Sequence, residues 1–159
     1  LRIIQNKVGD AMNYCDMLDL CYREGIVLSI EDFKPPLNGI YISCDDLHAI
    51  MLSSRILDNI PLRNVVLAEE IGHHFTLSGN NLPTEHWNRL HRCNYSKDEA
   101  RALLWAAIHL IPAHELLQAS CDGMTTLPVL AEYFQVTPAF VAYRMSLPDV
   151  QCFQYPHII

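Results

Sequence analysis

Between Val65 and Thr76 the chain reads VVLAEEIGHHFT, with two adjacent carboxylates, Glu69 and Glu70, one helical turn ahead of two adjacent histidines, His73 and His74. Side chains four positions apart share a helix face, so Glu69 and His73 can reach one ion, while Glu70 stands at the edge of that face, near the ion but not on it. The spacing is that of His-Glu-x-x-His, in which two residues one turn apart bind zinc and the intervening Glu is a general base. Here Glu occupies the first histidine position. Leu62, Val65 and Val66 continue the face of Glu69 and His73, and Leu67 and Ile71 lie opposite, which predicts a helix contacted on both sides. An unpaired carboxylate is costly in such a setting, and a divalent cation is the natural counter-charge. Glu99, opening the run KDEARALLWAAIHLIP, offers a third ligand on a helix whose alanines permit close approach. Two plainer readings stand beside this one. Ser96-x-x-Glu99 is also a capping box, and Glu-Glu-x-x-His also fits an acidic turn followed by a core histidine. His74, a quarter turn from His73, and His91, in an unassigned stretch, are the alternative imidazoles.

These residues need elements to hold them. Gln5 to Glu24 carries Val8, Met12, Cys15, Met17 or Leu18, and Cys21 or Tyr22 near helical spacing, which predicts a helix with Gly25 as a stop. The runs IVLSI, GIYIS and HAIMLS, separated by KPPLN and CDD, predict a small antiparallel sheet. Asn59 and Pro61 mark the start of the helix that carries the motif, which should run to about His74 before TLSGNN. Residues 80–94 are polar and irregular, a loop or short helix. A further helix is expected from Ser96 to Pro112, followed by short helices in AHELLQAS, LPVLAEYF and TPAFVAYRM, the last two separated by a turn at Gln135-Val136. QCFQYPHII has no period and is unassigned. The expected class is α+β, with a small antiparallel sheet and a mainly helical C-terminal part, in one domain over 1–159.

Composition narrows the partners. With 11 Lys plus Arg against 18 Asp plus Glu among 159 residues, the net charge of -7 repels a phosphate backbone and an anionic membrane. LAEYFQVTPAFVAYRM has the outline of a helix-turn-helix, but its second helix carries one basic residue, Arg144, too few for a DNA reader. Direct nucleic-acid binding is not expected. No apolar run approaches the ~20 residues of a membrane span. The six cysteines are scattered without a Cys-x-x-Cys pair and, with no signal-peptide pattern at the start, point to free thiols in the cytoplasm. Trp87 and Trp105 read as packing residues, and His48 and His114 as strand or loop residues.

Taken in order, GIYIS and the following strand, VVLAEEIGHHFT, KDEARALLWAAIHLIP and LPVLAEYFQVTPAFVAYRM resemble the ImmA/IrrE family of zinc metallopeptidases, from about Asn13 to Met145. The resemblance implies a zincin-like active-site helix, with 1–112 as the catalytic part and 113–159 as a helical subdomain. It implies Glu69, His73 and Glu99 as metal ligands and Glu70 as the catalytic base, with Zn2+ as cofactor. The oxygen-rich ligand set also admits Mn2+ or Fe2+. The implied substrate is a helix-turn-helix repressor, often phage-like. With Glu for the first His, the rival reading is a weakly active or inactive regulatory binding protein, such as a toxin-antitoxin component.

Overall fold

Asn13 caps the first helix, α1 (Tyr14–Arg23), in a full capping box: its side chain accepts from the N–H groups of Cys15 and Asp16, and Asp16 accepts from the N–H of Asn13. Gly25, at φ 67, turns the chain out of α1 into β1 (Ile26–Glu31). β2 (Gly39–Cys44) and β3 (Leu47–Ser53) form a hairpin whose turn places Asp45 at φ 52, the left-handed conformation of tight hairpin turns. The molecule is a computed structural model in which residues 10–77 and 92–151 are described, apart from the side chains of 92–96.

The class is α+β, as expected, but the sheet is mixed rather than wholly antiparallel. Its order is β1-β3-β2, with β2 antiparallel to β3 and β1 parallel to β3, Ile26 opposite His48. A period of two reports which residues face the core, not the direction of a neighbour. The tight turn fixes the hairpin, and β1 then occupies the other side of β3. Among the described strands β2 therefore has β3 as its one neighbour.

The helix bearing the motif, α2 (Ile60–Thr76), starts at Asn59, whose side chain accepts from Leu62 N–H, with Pro61 in its first turn. It packs against β2, β3, α1 and α3, and its buried residues, Asn64 to Ala68 and Ile71 to His73, surround most of its circumference. α3 (Arg92–Leu110) starts four residues before Ser96. Ser96 is therefore inside the helix and cannot cap it, which removes the capping-box reading of Glu99. The contact between α2 and α3 is backbone-close: a Cβ on Gly72 would stand 2.5 Å from the carbonyl oxygen of Ala102. Ala102, Ala106 and Ala107 are fully buried.

α4 (Ala113–Cys121), α5 (Leu127–Phe134), α6 (Pro138–Ser146) and the short α7 (Pro148–Gln151) follow. His114 thus lies in the first turn of α4, not on a strand or loop. Gln135, at φ 53, makes the turn between α5 and α6. Leu130, Phe134, Val136, Phe140 and Val141 belong to the same apolar cluster as Leu67, Ile71 and Ile50. Arg144 is fully buried: it donates to Ile111 O at 2.7 Å and grips Asp149 with two bonds of 2.8 and 2.7 Å. The one basic residue of α6 is thereby withdrawn from solvent. No helix among the described residues is long and apolar enough to cross a membrane, and Cys15, Cys21, Cys44 and Cys121 are unpaired.

Candidate active site

The close approach of α2 and α3 brings His73 and Glu99 together, with His73 Nε2 3.5 Å from Glu99 Oε1. Two ligand atoms about 2.1 Å from one ion at a tetrahedral angle stand roughly 3.4 Å apart, so this pair has the separation a shared metal requires. His73 is buried, and its Nδ1 has no hydrogen-bond partner among the described residues. Glu70 turns the other way, toward the sheet. Its carboxylate accepts from the backbone N–H of Tyr41, and a Cβ on Gly39 would meet Glu70 Oε1 at 3.0 Å. Glycine at 39 is what lets the strand lie against that carboxylate.

Negative charge dominates this pocket. Burial, then the nearby charges of Glu69 and Glu99, push the Glu70 carboxyl up to about 8 against the opposing pull of His73 and the Tyr41 N–H. Glu69 is raised by burial and by Glu99, with His73 opposing. Burial works to lower His73, but its hydrogen bond with Glu99 and the charges of Glu70, Glu99 and Glu69 outweigh this and raise it. Three carboxylates around one imidazole form a donor set with a charge deficit, which a divalent cation would fill.

Glu69 does not close onto the pair in the same way. Among the described residues, the one set of three ligand atoms within 4.8 Å of one another is Asp10, His114 and Glu115, an exposed group away from the motif. There Glu115 accepts from the Ala11 N–H. His74 does not join His73, since its Nδ1 is 3.0 Å from the Tyr41 hydroxyl and its Nε2 is 3.6 Å from Glu24. Burial and His48 hold His74 below its ordinary value despite Glu24. His91 and Trp87 lie outside the described residues.

A family model described as the IrrE N-terminal-like domain, Peptidase_M78, matches residues 21–146. The chain belongs to that family. No curated protein and no solved structure matches it. Peptidase_M78 is a metallopeptidase family, and its match spans β1 to α6, including the motif helix and Glu99.

Two residues that sequence reasoning passed over stand near the M78 site. Tyr41 was visible only as an aromatic on a short strand, and its role depends on strand order. Tyr143 of α6 is raised by burial and by the charge of Glu69, which sets α6 beside the site. Its signal in TPAFVAYRM was indistinguishable from a packing residue.

Proposed function

We propose that the chain is a metal-dependent endopeptidase of the cytoplasm, using Zn2+ held by Glu69, His73 and Glu99 and Glu70 as base, and that its substrate is a helix-turn-helix repressor. The 3.5 Å approach of His73 to Glu99 carries this reading, because it joins two helices at the separation one ion needs. Glu69, on the flexible stem of a glutamate, completes the set by a side-chain rotation. An ion there would supply Lewis-acid polarisation of the scissile carbonyl and of a water. Glu70 would take a proton from the water and return it to the leaving amine.

The chain acts as one domain, with 113–159 as support for the 1–112 catalytic part. The burial of Arg144 supports protein rather than DNA as the partner of α5 and α6. A second reading, a regulatory binding protein with a weak or inactive site, for example in a toxin-antitoxin pair, is favoured by Glu69 standing off from the His73–Glu99 pair. Co-expression with candidate phage-like repressors, followed by detection of repressor fragments, separates the two. Cleavage that disappears in Glu70→Gln supports the peptidase. Stable complexes with uncut repressor support the binding protein.

A further inference from the structure

We propose that His74 is a positioning residue for His73: held by Tyr41, His48 and Glu24, it fixes the rotation of the last turn of α2 and so aims the His73 imidazole at Glu99. This rests on His73 and Glu99 as the metal ligands proposed above.

His73 stands where a helix is least constrained by its own bonds. α2 ends at Thr76, so His73 opens its last turn, and the N–H of Leu77 closes on His73 O at 2.9 Å. The contact of Gly72 with Ala102 fixes how closely α2 approaches α3, but a glycine has no side chain with which to resist rotation of the helix about its axis. That rotation matters to the site. A side-chain tip stands about 5–6 Å from a helix axis, so a turn of about 10° carries it about 1 Å. This is twice the ~0.5 Å within which a working constellation must be held.

Successive residues of a helix project about 100° apart, so while His73 faces Glu99 of α3, His74 faces the sheet. Three elements converge on it there. From β2, the Tyr41 hydroxyl lies 3.0 Å from His74 Nδ1, and the Tyr41 ring meets the imidazole edge to face at 5.7 Å. From β3, the His48 ring meets it edge to face at 4.8 Å. The same Tyr41 hydroxyl lies 2.9 Å from His48 Nδ1, so the two strands of the hairpin hold each other as they hold His74. From the C-cap of α1, Glu24 Oε2 lies 3.6 Å from His74 Nε2. Both ring nitrogens of His74 therefore face a polar group on another element. Contacts at both nitrogens fix the plane of the ring as well as its place, where a single hydrogen bond would leave it free to swing. The side chain is 12% exposed, so water competes little for these contacts. His74 thereby ties the end of α2 to α1, β2 and β3 on the side away from Glu99, and His73, one residue earlier, inherits its direction from that hold.

His74→Leu keeps the bulk and removes both nitrogens. In the full chain its zinc affinity, measured by chelator competition, should fall by about tenfold to hundredfold, the usual effect of losing a group that orients a ligand. The visible absorption of the Co2+-loaded protein should change with it, because one donor is misdirected. His74→Asn, whose amide can take the place of Nδ1, should recover most of the affinity and the wild-type cobalt spectrum, an order that a role in packing alone would not produce. Tyr41→Phe should show a smaller loss of the same kind, and joining it to His74→Leu should add little further, since both act through one bridge. If His74→Leu does not fold, Tyr41→Phe, which leaves every ring in place, carries the test by the same two readouts. Wild-type zinc affinity and an unchanged cobalt spectrum in the folded variants, while His73→Ala loses zinc, overturn the proposal. Unchanged zinc affinity in His73→Ala overturns the ligand set instead, and with it the reading on which the proposal rests.

Discussion

Gly72 sits between Ile71 and His73 at the point where α2 meets α3, and Gly72→Ala sets two opposed effects against each other. On an isolated helix, alanine would be worth up to about 1 kcal/mol over glycine. Here the new Cβ would stand 2.5 Å from Ala102 O and 3.0 Å from Ala102 C and Cα, all backbone atoms with no rotamer to yield. Ordinary contact begins at 3.4 Å, so the helices must part by about 0.9 Å. Overpacking of this kind costs roughly 1–3 kcal/mol, so steric cost wins and the variant should be destabilised by about 1–2 kcal/mol, or about 2–8 °C in Tm. The site should suffer more than the fold. The backbones carrying His73 and Glu99, whose side chains stand 3.5 Å apart, would move apart by a similar amount, and Glu99 would have to leave its present side-chain geometry to share one ion with His73. Zinc affinity should fall at least tenfold, measured by chelator competition beside thermal unfolding of the metal-free protein. A variant more stable than wild type with unchanged zinc affinity would refute the claim that this contact sets the ligand spacing.

Glu70→Gln should keep zinc and lose cleavage, because it removes the base and leaves His73 and Glu99 untouched; metal analysis beside a fragment assay checks both halves. Folding raises the Glu70 carboxyl from 4.5 to about 8, so its contribution to the metal-free protein is fully present below about 4.5 and is lost as pH rises to about 8. The Tm of the metal-free protein should therefore fall across that window, and Glu70→Gln should flatten the fall. Asp149→Ala should cost about 2 kcal/mol in denaturant unfolding, since it leaves the buried Arg144 guanidinium with Ile111 O as its remaining partner among the described contacts. The Arg144 bonds hold Asp149 below its ordinary 3.8, so this contribution is present above that value and is lost as pH falls through the lowered one. Glu69→His should tighten zinc and speed cleavage by giving the site formal charge +1 in place of 0; unchanged zinc affinity would remove Glu69 from the ligand set.

Elements whose signals are local could be read from the residues. Asn59 and Pro61 mark the start of α2, and the αL turn at Gln135 falls where LPVLAEYF gives way to TPAFVAYRM. The four-residue step from Glu69 to His73 and the small residues of α3 foretold that His73 and Glu99 could meet, and they do. What could not be read depends on long-range geometry. The direction of β1 against β3 leaves no trace in alternation. The true start of α3 at Arg92 is hidden because RCNYS contains no stop. His48 and His74, 26 positions apart by number, become neighbours only because β3 lies beneath α2, and Tyr41 meets both only because β2 pairs with β3.

The balance of charge indicates what a glutamate at position 69 would change at the proposed site. Glu70 has a backbone donor in Tyr41, so part of its burial is offset inside the protein. Glu69 and Glu99 share one imidazole between them, and Glu99 already engages it. Without a cation, burial and then the charges of Glu69 and Glu99 raise the Glu70 carboxyl to about 8, which favours its protonated form. If a divalent cation were held by Glu69, Glu99 and His73 as proposed, the set would be neutral and Glu70 could ionise and release its proton. On that reading metal uptake and ionisation of the base would be one linked step. On the same reading a histidine at 69 would weaken that linkage while sharpening the ion's pull on water, and the glutamate would trade reactivity for a base whose ionisation depends on the metal. Proton release on zinc binding, followed by calorimetry in buffers of different ionisation heat, should accordingly be larger in the wild-type chain than in Glu70→Gln.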